Sequence, residues 1–208
     1  MTKYRLLAGL TGLMLGMCSL SAGAAKGLTY SFGEFGYTNL DSDDVDGDGV
    51  TGRLSFGATD YIHLKVEWTH FESLDVTKRN FFGKKTLDFR TDRFLVGAGG
   101  NFTVLEKASL FDAIDVFGTA SFYNAANSKD GNNTDRGYQI DAGVRSLIKK
   151  KFELNATVTY LDIDNYDETG YGAGAVYRFY KKYSAVGNIR HFSQDDTTEF
   201  FLGLRANF

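Results

Sequence analysis

From residue 28 to residue 208 the side chains alternate between apolar and polar at every second position, in one segment after another. That period belongs to a β-strand with two different faces, because successive side chains leave opposite sides of the chain. Val50, Gly52, Leu54, Phe56 and Ala58 alternate with Thr51, Arg53, Ser55 and Gly57, and Ile62, Leu64, Val66 and Trp68 with His63, Lys65, Glu67 and Thr69. The same rhythm runs through 114–122, 138–145, 153–160, 171–179 and 200–208, and less cleanly through 28–38, 88–102 and 184–193, giving ten strands. The chain has no proline, which suits a protein made mostly of paired strands, since proline removes a ladder donor.

The connections between these segments alternate in character. Ala58–Asp60, Thr103–Phe111, Lys149–Lys151 and Lys181–Tyr183 are short or basic. Asn39–Asp48, Ser73–Thr86, Ala125–Asp135, Asp162–Glu168 and Gln194–Thr197 are longer or acidic. Short turns at one end and long loops at the other are the pattern of a transmembrane barrel, and an even strand number puts both chain ends on the short-turn side. A soluble sandwich or lipocalin also alternates, but its apolar face is a core of branched aliphatics. Here the apolar face is rich in Gly, Ala and aromatics at the strand ends, and the other face carries charge on nearly every strand. The expected fold is all-β: an antiparallel transmembrane up-and-down β-barrel of about ten strands, with eight as the smaller alternative.

The only long apolar run lies in residues 1–25, and a mean hydropathy of −0.25 argues against helical spans. That run reads as a cleaved secretory signal peptide: Lys3 and Arg5, an apolar stretch from Leu6 to Leu20, and Ala22-Gly23-Ala24 as the cleavage site, with a cut after Ala25 as the close alternative. Cys18 follows Met17, too bulky for a lipidation signal. Cleavage removes Lys3, Arg5 and no acid, so 23 basic residues become 21 against 26 acidic, about −5, and residues 26–208 form one barrel domain. Export and negative charge both exclude a nucleic-acid role.

The chain closes on Phe200, Leu202, Leu204, Ala206 and Phe208, apolar at every second position back from a terminal Phe. This stripe resembles the assembly signal of bacterial outer-membrane proteins. Together with Tyr30–Tyr37, the Asp-rich stretch Asp41–Asp48 and Gly137–Arg145, it resembles the small outer-membrane β-barrel family of OmpA-like and OmpX-like barrels. Within that family it is similar to small barrels regulated by diffusible signal factor. The resemblance implies the outer membrane of a Gram-negative cell envelope, contact with outer-membrane lipids and lipopolysaccharide, and delivery by the barrel assembly machinery. It implies little about activity, since small barrels serve as adhesins, enzymes, pores or passive structure.

Three motifs invite chemistry. Asp44-Val-Asp46-Gly-Asp48-Gly49 fits the first half of a Ca²⁺ loop, but Ser55 stands where the bidentate Glu belongs, so an EF-hand is excluded and a solvated acidic hairpin is expected. His191-Phe192-Ser193 resembles the His-x-Ser motif of lipid A deacylases, with Glu199 as the acid that would orient the base. Glu199, however, has the inward parity of Phe201 and Arg205. The third constellation is the inward-facing set itself: Arg53, Lys65, Glu67, Asp115, Asp141, Arg145, Glu153, Arg178, Arg190, Glu199 and Arg205. Charges of both signs in a lumen this narrow are expected to pair, Arg145 with Asp141 on its own strand or with Glu153 on the next, because an unpaired desolvated charge is costly.

The expected role is a non-enzymatic, monomeric outer-membrane barrel, structural or surface-interacting, with its lumen filled by paired charges and no cofactor or metal. The alternatives are a small porin-like channel and a lipid A-modifying hydrolase.

Overall fold

The computed structural model describes residues 28–42, 45–80, 83–106, 110–127, 134–164 and 166–208, with side chains of 73–89 left undescribed. The signal segment, Cys18, Asp44 and the tip of the 125–135 connection lie outside the described residues. Ten strands follow one another: β1 (Phe32–Asp41), β2 (Val45–Gly57), β3 (Ile62–Asn80), β4 (Gly83–Glu106), β5 (Phe111–Asn127), β6 (Thr134–Ile148), β7 (Phe152–Ile163), β8 (Tyr166–Arg178), β9 (Tyr183–Phe192) and β10 (Thr197–Asn207). Each pairs antiparallel with its sequence neighbours, and β1 pairs with β10 from Phe32↔Asn207 to Asp41↔Thr198, closing the barrel. Closure leaves no free edge within the ring, the condition for a sheet to cross a bilayer.

Burial is inverted relative to a water-soluble domain. Leu202, Leu204, Phe35 and Val158 are among the many large apolar side chains exposed on the outside, while Glu67, Asp115, Thr51 and Thr159 are buried inside. An aromatic belt rings each end of the outer face: Tyr37, Phe94, Phe122, Tyr138 and Tyr171 at one, Phe102, Phe152, Tyr177, Phe179 and Tyr183 at the other. Between them lies the apolar band that meets hydrocarbon. This inversion is what separates the membrane barrel from the soluble alternatives.

Several expected boundaries are corrected. The connections expected at Asn39–Asp48 and Ser73–Thr86 are largely strand: β1 and β2 pair to Leu40↔Gly47, and β3 and β4 pair to Asn80↔Gly83. The β3–β4 ladder outruns its neighbours, since β2 leaves β3 at Val45↔Val76 and β4 leaves β5 at Thr91↔Asn127. Beyond the bilayer neither face needs to be apolar, so the alternation fades while backbone pairing continues. Bulges at Asp48/Gly49 and between Phe71 and Leu74 bend these long strands. A side chain at Gly49 would collide with the His70 carbonyl oxygen on the facing strand.

At the other end the turns are tight. Lys149 and Lys150 have φ of 48° and 56°, the two left-handed residues of a two-residue hairpin turn. The Lys151 amide donates to the Ile148 carbonyl at 3.2 Å, and the Lys150 amide donates to Asp112 Oδ2 at 2.6 Å. The segment expected to begin a strand at residue 28 instead turns into the barrel: Leu28 packs with inward-facing Ala113 and Leu147, and the strand starts at Phe32.

Candidate functional site

All eleven sequence-derived charges lie on lumen-facing positions, but they do not play one part. Eight join a single network of ion pairs. Arg145 contacts Glu153 at 2.7 Å, Glu153 contacts Arg205 at 3.1 Å, and Arg205 reaches Glu34 at 2.6 Å. Glu34 continues to Arg53 at 3.5 Å and Arg53 to Glu67 at 3.0 Å. From Glu67 the network forks, through Lys65 at 3.3 Å to Asp141 at 3.7 Å, and through Arg93 at 3.8 Å to Glu199 at 2.9 Å. Five bases thus alternate with five acids. The two members missed by sequence reading, Glu34 and Arg93, lie in β1 and β4, where the alternation is least regular. Their parity relative to Phe32 and Leu95 was the available signal.

Of the two partners expected for Arg145, the structure has Glu153 and not Asp141. Arg145 pairs with Glu153, while Asp141 turns to Lys65 on β3 and accepts hydrogen bonds from Thr159 at 2.7 Å and Gln139 at 2.9 Å. A wide barrel would separate these strands. Here the lumen is narrow enough for β3 and β6 side chains to meet across it.

The other three charges stand apart. Asp115 accepts a hydrogen bond from Thr103 at 2.8 Å and meets no base at ion-pair distance among the described residues. Arg178 sits at the turn end and donates to the Lys150 carbonyl at 3.4 Å. Arg190 has no carboxylate at ion-pair distance among the described residues, and its guanidinium lies 5.8 Å from the Phe192 ring centre. The expectation that every inward charge pairs is therefore too broad. Inward aromatics share the guanidinium surfaces: Arg53 lies 4.3 Å from the Phe201 ring centre, Arg145 4.4 Å from Tyr30 and Arg205 4.2 Å from Phe32.

Both ends of this charged core are covered. At the turn end Tyr30 stacks on His63, ring centres 4.8 Å apart. Its carbonyl accepts from Ser55 Oγ at 2.6 Å, and the Thr29 carbonyl accepts from Arg145 at 3.2 Å. Towards the loop end, Thr38, Thr51 and Thr69 form a hydroxyl ladder with contacts of 2.5 and 2.9 Å, all fully buried. Phe71, Leu161 and Phe192 are buried inward-facing residues above it. What remains open is a cavity of about 160 Å³.

The hydrolase constellation is not assembled. His191 faces outward, where its Nδ1 lies 3.2 Å from Thr198 Oγ1 and its Nε2 3.7 Å from Asp196. Glu199 is inside the barrel, held by Arg93. Ser193 lies in the exposed turn after β9, so the three groups occupy different faces of the wall. The half-motif for Ca²⁺ is likewise drawn into a strand: Asp46 and Asp48 belong to β2, and Asp48 accepts hydrogen bonds from the Tyr37 hydroxyl and from Asn39 at 3.1 Å. Among the described residues no cluster of metal-ligating side chains forms. The terminal stripe Phe200, Leu202, Leu204 and Ala206 faces outward on β10, and the Phe208 amide donates to the Ser31 carbonyl at 3.1 Å.

A closed ring of ten antiparallel strands, apolar outside and charged within, is a bacterial outer-membrane barrel. The chain belongs to the outer-membrane β-barrel family: the model of an outer membrane protein beta-barrel domain matches residues 10–179. No curated protein matches the chain. Among solved structures it is similar to the beta domain of the Bordetella autotransporter BrkA, with 11% identity, a TM-score of 0.50, and coverage of 85% of this chain and 98% of that one. A KdgM porin in complex with disordered oligogalacturonate shares 11% identity at a TM-score of 0.48, covering 84% of this chain and 99% of that one. OprG from Pseudomonas aeruginosa shares 10% at 0.47, covering 85% and 94%. At such identities the likeness concerns the fold alone.

Proposed function

We propose that this protein is a closed-lumen outer-membrane barrel with a structural or surface-interaction role, neither an open pore nor an enzyme. The observation that carries this reading is the continuous network of five bases and five acids, covered by Tyr30 at one end and by Phe71, Leu161 and Phe192 at the other. The members of this charge-balanced network hold each other, and the side chains that cover its two ends leave a passing ion no width there. The barrel works as a monomer, surrounded by outer-membrane lipids and lipopolysaccharide, and the barrel assembly machinery reads its terminal stripe. Recording in planar bilayers tests this: the wild-type protein is expected to show negligible conductance, and removal of residues 28–31 to admit current. A steady, ion-selective conductance from the wild-type barrel would overturn the reading in favour of a small channel.

A further inference from the structure

The wall of the lumen is not uniformly filled. β8 contributes no member to the ion-pair network and presents glycine inward at 172 and 174. A Cβ on Gly174 would collide with the Asn155 and Asn188 amides, and one on Gly172 with the Thr157 hydroxyl, while standing 3.9 Å from Arg190 Cβ. The two glycines therefore give room to polar side chains that converge from β7 and β9 beside Arg190, forming a polar recess in this wall. All four side chains line the 160 Å³ cavity. Among the described residues none of the four makes a hydrogen bond, and Arg190 makes no ion pair. The nearest acids are engaged elsewhere: Glu67 by Arg53 and Lys65, Asp141 by Lys65 and Thr159, Glu199 by Arg93.

We infer that this recess is a binding site for a small oxyanion, a molecule with one carboxylate or phosphate group held by Arg190 and by the Asn155, Thr157 and Asn188 side chains. The charge follows from the partners of Arg190. The ten network members hold one another, and Asp115 near the turn end is an inward acid outside the network. Arg190 faces Glu199 in register on β10 but stays outside its ion pair with Arg93, so it is the cation left over along this wall. A planar guanidinium recognises an oxyanion through two parallel hydrogen bonds. Two amides and a hydroxyl beside it supply further donors. The size is bounded by the volume, since the whole cavity, which the network residues also line, accommodates at most roughly six non-hydrogen atoms. The site does not need the lumen to conduct: the anion has to pass the cover at one end only and need not cross the barrel.

Calorimetric titration of the refolded full barrel in detergent micelles tests this with three probes: sodium butyrate, inorganic phosphate and butylammonium chloride. Saturable binding of either anion is expected, with none for butylammonium, and the ranking of the two anions assigns an organic or an inorganic ligand. Arg190→Gln is expected to weaken binding roughly ten-fold or more, the loss of a charge-assisted hydrogen-bond pair. Gly174→Ala leaves Arg190 in place but pushes the flexible amides into the recess, and is expected to weaken binding by a similar factor. Retained heat-modifiable migration on gels reports folding of each variant, and Gly174→Ala decides the matter if Arg190→Gln does not fold. Absence of saturable binding by both anions, equal binding of butylammonium, or affinity unchanged by both substitutions would overturn the site.

Discussion

Replacing Glu153 by alanine tests the lumen network at its most constrained point. Glu153 is 4% exposed and holds two guanidinium groups, Arg145 at 2.7 Å and Arg205 at 3.1 Å. Removing one partner of a buried ion pair costs roughly 3–5 kcal/mol, because the remaining charge is left desolvated. The two arginines do not lose equally. Arg205 keeps Glu34 at 2.6 Å, whereas Arg145 keeps the Thr29 carbonyl and the faces of Tyr30 and Phe32 but no carboxylate at ion-pair distance among the described residues. One stranded charge rather than two places the expected loss at the lower end, about 3 kcal/mol. Lys65→Ala is the control. Its side chain is 21% exposed, and both its partners have other donors, Arg53 for Glu67 and Thr159 for Asp141, so a loss under about 1 kcal/mol is expected. Trp68, the one tryptophan of the chain, faces outward near the loop-end aromatic belt and donates to Asp92 at 3.2 Å. Its emission shift during urea unfolding from lipid vesicles is therefore an intrinsic probe. Arg145→Met with Glu153→Met should recover most of the loss, since no charge is then stranded. A Glu153→Ala barrel within about 1 kcal/mol of wild type, or a double variant no more stable than the single one, would refute the view that this network is dry and mutually dependent.

Three further outcomes are expected. Deletion of Phe208, or Phe208→Asp, is predicted to impair outer-membrane insertion while leaving export across the inner membrane intact; heat-modifiable, membrane-inserted material from the deletion at wild-type levels would contradict this. Ala142→Arg places a charge in the lipid-facing band, and is expected to destabilise the folded barrel by roughly 2–4 kcal/mol if near the midplane, read by the same urea titration. An epitope at Asn132 should be labelled on intact cells, and one at Lys150 only after the outer membrane is permeabilised; the reverse pattern would invert the assigned orientation.

The period-two pattern already contained the class of fold, the strand number and the inward or outward direction of each residue from Val50 to Phe56 and from Phe200 to Phe208. Strand geometry forces side chains to alternate, and hydrocarbon outside with charge inside makes the alternation visible. The pattern weakened wherever that contrast weakens. Residues 73–80 and 83–86 lie beyond the bilayer, so β3 and β4 pair there without an apolar face to announce them. Residues 28–31 are polar and apolar in strand order, yet they leave the wall to cover its mouth, because Leu28 finds Ala113 and Leu147 inside. Partnership of charges was legible only as alternatives. Parity places Arg145, Asp141 and Glu153 on the inner face, but whether Arg145 meets one or the other depends on how far Lys65 reaches across the lumen from β3. The same holds for Arg190, whose parity matches that of the paired bases: glycine faces it on β8, and Glu199, opposite it on β10, is held by Arg93. Direction is a local property of the chain, fixed by the geometry of each strand; pairing depends on the width and stagger of the closed ring, which only the tertiary structure decided.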